Sequence, residues 1–148
     1  MEHQLITYSA EETMNLGQKF VALAKPGSTF CLTGDLGAGK TTLVRGIARA
    51  LTIKSVVQSP TFNIMKVYFD GDRPLIHIDA YRLADVNTDI GLDEYIGYET
   101  GITMIEWPQF ISNLLPQNTL YIEISITGET SRHLNVYSSD SRLLEVIK

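Results

Sequence analysis

The chain has 148 residues, 44% hydrophobic and 20% charged, with a formal net charge of −5; this is the make-up of an ordinary globular chain, expected to form a single domain over residues 1–148. No apolar run approaches the ~20 residues that a membrane span needs, and an acidic chain with scattered Lys and Arg is a poor candidate for gripping nucleic acid by itself. Its one cysteine, Cys31, excludes an intrachain disulfide and reads as a small buried hydrophobe in a protein of the reducing cytoplasm.

Met1-Glu2-His3-Gln4-Leu5 lacks the basic start and apolar run of a secretion signal. Ser9-Ala10-Glu11-Glu12 has the form of an S-x-x-E capping box. Leu16, Phe20 and Leu23 then mark one face of the helix it opens, and Lys25-Pro26-Gly27 stops it. Ser28–Thr33 is apolar and β-branched enough for a buried strand. It runs directly into Gly34-Asp35-Leu36-Gly37-Ala38-Gly39-Lys40-Thr41, a complete G-x-x-x-x-G-K-[ST] phosphate-binding loop. Leu43, Ile47, Ala50 and Leu51 recur at helical spacing after it.

The chemistry of that loop is specific. Glycines let the backbone curl so that several N–H groups converge on phosphate oxygens. Lys40 brings a positive charge to the β/γ-phosphates, Thr41 offers a hydroxyl to Mg²⁺, and the following helix adds the positive end of its dipole. A loop with this sequence, between a buried strand and a helix, implies binding of a nucleoside triphosphate.

Lys54–Pro60 reads as a connection and Thr61–Phe69 as a strand, with Asp70-Gly71-Asp72 turning into a hairpin partner over Pro74–Asp79. Leu83–Tyr98 is mixed and acidic, the pattern of short helices around a loop. Ile102–Glu106 is a further apolar strand, ended by Trp107-Pro108. Leu120–Ile126 and His133–Tyr137 alternate as strands, and a final amphipathic stretch closes the chain. These elements predict an α/β fold with a mixed parallel and antiparallel sheet flanked by helices.

Two apolar segments end in carboxylates, Leu75-Ile76-His77-Ile78-Asp79 and Ile102-Thr103-Met104-Ile105-Glu106. In an open α/β sheet both acids emerge at the carboxyl edge beside the phosphate loop. One would help Thr41 hold Mg²⁺ and the other would orient or deprotonate an attacking water. Glu106 is favoured on the metal side and Asp79 as metal support or base. His77, inside its strand, reads as a satisfied structural histidine, and Trp107 either as a core residue, the favoured reading, or as an aromatic lip of the site. Ser59-Pro60-Thr61-Phe62 is either a loop sensing the γ-phosphate or a proline at a strand entrance. Arg82 and Arg132 are the arginines expected nearest the nucleotide. The absence of an Asn-Lys-x-Asp segment leaves guanine specificity without a basis.

Taken together, the phosphate loop through Thr42-Leu43-Val44-Arg45-Gly46, then Ser59-Pro60-Thr61, Asp79-Ala80-Tyr81-Arg82-Leu83, Gly91-Leu92-Asp93-Glu94-Tyr95 and Glu106-Trp107-Pro108, closely resemble the TsaE (YjeE) family of bacterial P-loop ATPases. The likeness runs from about Ser9 to Arg132; Ala80 stands where the family often has a larger apolar residue, and the tail beyond Arg132 is poorly matched. The resemblance implies a P-loop NTPase domain that binds ATP and hydrolyses it slowly with Mg²⁺. It implies action with the partners TsaB and TsaD in threonylcarbamoyladenosine modification of tRNA, the tRNA being held by a partner. By the same resemblance the loop residues Asp35, Leu36, Gly37, Ala38 and Gly39, with Lys40, Thr41, Thr42 and Arg132, contact nucleotide. Glu106 then ligates Mg²⁺ and Asp79 supports hydrolysis. A small-molecule kinase, and a binding module in which hydrolysis is incidental, are the competing readings.

Overall fold

The computed structural model describes residues 2–35, 37–60, 63–84 and 91–138. Leu36, Thr61, Phe62 and the closing amphipathic stretch lie outside them. Among the described residues seven strands form one sheet, in the order β1-β7-β6-β2-β5-β4-β3. The strands are β1 (Glu2–Thr7), β2 (Thr29–Gly34), β3 (Met65–Tyr68), β4 (Leu75–Asp79), β5 (Ile102–Glu106), β6 (Leu120–Ile126) and β7 (Arg132–Ser138). The central four, β6, β2, β5 and β4, run parallel. Antiparallel strands close both sides, as the hairpin signal at Asp70-Gly71-Asp72 requires.

Strands β4 and β5 are buried along their whole length, and β2 over its first four residues, which is why they read as continuous apolar runs rather than alternating ones. Alternate residues face opposite layers. Phe30, Leu32, Leu75, Ile102 and Met104 join the core under helices α1 (Ala10–Leu23) and α2 (Lys40–Ala50). Cys31, Ile76, Ile78 and Ile105 face a second core beneath the short 3-10 turns at Tyr81–Leu83, Leu92–Glu94 and Pro108–Leu114. Burial pushes the Cys31 thiol up to about 12, so it acts as the small hydrophobe expected.

Helix α1 starts where the capping residues place it. The Ser9 hydroxyl accepts the Glu12 N–H at 3.1 Å, while the Glu12 carboxylate reaches one residue further back, to the N–H of Tyr8. The two helices then meet backbone to backbone. A Cβ on Gly46 would lie 2.1 Å from the Met14 carbonyl oxygen, and one on Gly17 would lie 2.3 Å from the Gly46 carbonyl carbon. Because α2 carries the phosphate loop at its N-terminus, this contact sets the loop's seat. Gly46→Ala is expected to destabilise the fold by about 1–3 kcal/mol or more through overpacking; an unchanged urea midpoint would refute the close approach.

Two elements depart from expectation. Strand β1 carries no usable pattern in the sequence: Glu2, Gln4 and Ile6 are exposed, and the strand exists because β7 offers it a ladder, from Glu2 opposite Tyr137 to Thr7 opposite Arg132. Strand β3 is also shorter than Thr61–Phe69. The Pro60 carbonyl accepts the N–H groups of Asn63 and Ile64, and Ile64 takes a left-handed φ of 67°, so regular pairing begins only at Met65.

Candidate functional site

The site forms where β2, β4 and β5 end together. Leaving β2, the chain turns through Gly34, Gly37 and Gly39 and enters α2 at Lys40. Gly37 and Gly39 have φ of 81° and 108°, conformations that favour glycine. Gly34 is needed for space as well, since a Cβ there would stand 2.5 Å from the Ile124 carbonyl oxygen. The loop is braced internally by the Ala38 N–H donating to the Asp35 carbonyl at 3.0 Å. Gly39 caps the helix without a side chain, which leaves the first N–H groups of α2 directed at the site.

Across from the loop, β4 and β5 pair in parallel with Asp79 opposite Glu106. The register therefore sets the two carboxylates side by side at the carboxyl edge, as expected. Both are only 4% exposed. Lys40, 9% exposed, extends back toward them, with its Nζ 4.0 Å from Glu106 Oε1. Lys40, Thr41, Thr42, Asp79 and Glu106 line one cleft of about 590 Å³, large enough for a triphosphate and its metal.

Each carboxylate is held. Asp79 Oδ1 accepts the Tyr81 N–H at 3.0 Å, and Oδ2 faces the Ser59 hydroxyl at 3.4 Å. Glu106 Oε2 lies 2.7 Å from Nε2 of the wholly buried His77. His77 is buried inside its strand, as expected, but only half satisfied: Nε2 meets the site's own acid, and Nδ1 has no partner among the described residues. The carboxylate pair and the Thr41 hydroxyl make a hard oxygen donor set suited to Mg²⁺, which takes one or two carboxylates and draws its other ligands from phosphate and water. Among the described residues no group of three or more His, Cys, Asp or Glu is assembled to hold a metal without such help.

Trp107 occupies both places open to it: half-buried, it packs against the second core and also lies at the cleft, with its ring centroid 5.1 Å from Lys40 Nζ and 5.0 Å from the Tyr81 ring. Its left-handed φ of 57°, followed by Pro108, turns the chain off β5 and brings the ring over the lysine. Ser59 reaches the cleft, which favours a site loop over a simple strand entrance for the segment that carries it.

Arg132 sits on the outer side of the phosphate loop. Its Nε donates to the Ala38 carbonyl at 3.0 Å, Nη2 to Gly37 at 3.5 Å and Nη1 to Ser131 at 2.8 Å. This makes it a brace between β7 and the loop, a role that sequence reasoning misses because its targets are backbone carbonyls some 95 residues away. It also borders a smaller hollow of about 160 Å³ beside Ala10, Thr13 and Thr42. Arg82 is exposed on the turn that follows Asp79. Asp35 is exposed at the start of the loop.

A glycine-rich loop between a buried parallel strand and its helix, opposed by two strand-end acids, defines a P-loop α/β protein. The profile of the family described as "Threonylcarbamoyl adenosine biosynthesis protein TsaE" matches residues 7–134. The chain is 43% identical over 136 residues to the tRNA threonylcarbamoyladenosine biosynthesis protein TsaE of Bacillus subtilis (strain 168), covering 92% of this chain and 85% of that one. It is 37% identical to the protein of the same name from Treponema pallidum (strain Nichols), covering 88% of this chain and 97% of that one. The crystal structure of Bacillus subtilis YdiB superposes with a TM-score of 0.81 at 36% identity, covering 99% of this chain and 91% of that one. The chain belongs to the TsaE family.

Proposed function

We propose that this protein is a Mg²⁺-dependent ATPase that works with TsaB and TsaD in threonylcarbamoyladenosine modification of tRNA, in the cytoplasm. The observation that carries the ATPase reading is the meeting of Lys40 with Asp79 and Glu106 in one cleft at the sheet's carboxyl edge. The pathway and partners rest on family membership and on the relatives' names.

In this reading the N–H groups of residues 37–42 cradle the phosphates and Lys40 balances charge on the β/γ oxygens. Thr41 and Glu106, with Asp79 in support, would hold Mg²⁺, which would neutralise phosphate charge when bound. Asp79 also orients the attacking water and takes its proton. The water oxygen bonds to the γ-phosphorus, the bond to the β–γ bridging oxygen breaks, and ADP and phosphate leave. Arg132 contacts nucleotide from the outer side of the loop while bracing it. With a net charge of −5, the chain leaves the tRNA to a partner.

The test follows the γ-phosphate of labelled ATP. Release as inorganic phosphate, accelerated by the TsaB–TsaD pair, supports an ATPase; a label left on a metabolite from cell extract would make the protein a kinase and sink the proposal. A hydrolysis-dead variant that still binds ATP and still supports tRNA modification in cells would reduce hydrolysis to an incidental activity.

A further inference from the structure

His77 carries more than packing. It lies in the middle of β4, wholly buried, two residues before Asp79 and on the same face of the sheet. Its register partner on β5 is Met104, so Glu106 stands one diagonal step away, and the two side chains meet at 2.7 Å. The other ring nitrogen, Nδ1, is buried with no hydrogen-bond partner among the described residues. A carboxylate oxygen can accept but not donate, and no group among the described residues accepts from Nδ1. The proton therefore belongs on Nε2, where it points at Glu106.

We infer that His77 is a positioning residue: its Nε2–H holds Oε2 of Glu106, so that Oε1 stays turned into the cleft as the oxygen available to the metal. This rests on the ATPase reading of the cleft. Without that anchor the Glu106 carboxylate, whose Oε1 already faces Lys40 Nζ at 4.0 Å, would be free to close further on the lysine with both oxygens. That closer pair would withdraw Oε1 from the metal and weaken the positive charge offered to the phosphates. A group that aims a ligating oxygen in this way typically changes metal affinity or activity by ~10- to 100-fold when removed.

Side-chain length allows a sharp test. Glutamine carries its amide nitrogen at the reach of imidazole Nε2, whereas asparagine carries it only as far as Nδ1. Binding of Mn²⁺ to the protein saturated with a non-hydrolysable ATP analogue, followed by the electron paramagnetic resonance of free Mn²⁺, reads the metal site without turnover. Affinity of the analogue with metal chelated away and the melting temperature complete the set.

His77→Gln is expected to keep Mn²⁺ affinity within about threefold of the parent, while His77→Leu and His77→Asn lose ~10-fold or more and Glu106→Gln at least as much. Metal-free analogue binding should be equal or weaker in His77→Leu and unchanged in His77→Gln. Parent-like Mn²⁺ affinity in His77→Leu beside a weakened Glu106→Gln overturns the role of His77 and leaves the metal role of Glu106 standing. Parent-like affinity in Glu106→Gln removes Glu106 from the metal and the inference with it. Should His77→Leu fail to fold, the contrast between Gln and Asn decides: equal behaviour of the two overturns the inference.

Discussion

Replacing Lys40 with alanine will abolish tight ATP binding. The lysine is the cation at the heart of the cleft, 9% exposed and facing a carboxylate at 4.0 Å. A largely buried ammonium contributes a charge-assisted contact to phosphate that water cannot replace. Its removal is expected to cost about 3 kcal/mol of nucleotide affinity, or ~100-fold. The same change leaves the Glu106 carboxylate, only 4% exposed, held by His77 among the described residues. Calorimetric titration with ATP measures the loss, and Lys40→Met, which keeps the stem packed beneath Trp107, separates lost charge from lost packing. Parent-like affinity in both would take Lys40 out of the phosphate site.

The second expected result concerns the two acids. Asp79→Ala and Glu106→Ala should each lower turnover by ~100-fold or more while weakening ATP binding far less. The reason is that a carboxylate repels bound triphosphate in the ground state and becomes useful only as water attacks or as metal is held in place. The two should not be equivalent. Glu106 faces Lys40 and is anchored on His77, so its loss should raise the Mg²⁺ concentration needed for half-maximal rate. Asp79 accepts hydrogen bonds from the Tyr81 N–H and the Ser59 hydroxyl, so its loss should act mainly on the maximal rate. Steady-state kinetics over a Mg²⁺ series separates the effects. Normal turnover in both variants would remove the acids from the chemistry.

Much of this site is legible in the amino-acid sequence. The phosphate loop is a local device: glycines where the backbone must turn left, a lysine at the first helical residue, and a buried strand leading in. Asp79 and Glu106 stand out because each ends an uninterrupted apolar run, the mark of a parallel strand covered on both faces. Trp107 is left between core and lip by such reasoning because hydrophobic size points to burial, whereas its place at the cleft follows from a left-handed turn ahead of Pro108 and from Lys40 beneath its ring. Arg132 can be singled out as an arginine near the nucleotide, but its brace on Ala38 and Gly37 cannot, since a backbone carbonyl has no sequence signature.

By itself, then, the sequence determined the α/β class, the phosphate loop, the helix start at Ser9 and the two acids that belong with the loop, because each depends on residues close together along the chain. Only the tertiary structure decided that β1 pairs with β7, that Gly17 and Gly46 let the helices touch, and that His77 reaches Glu106. Those facts depend on strand order and register, which bring together residues separated by 29 positions in the case of His77 and Glu106. Local pattern encodes which groups the site contains; sheet register sets which oxygen of which acid each of them meets.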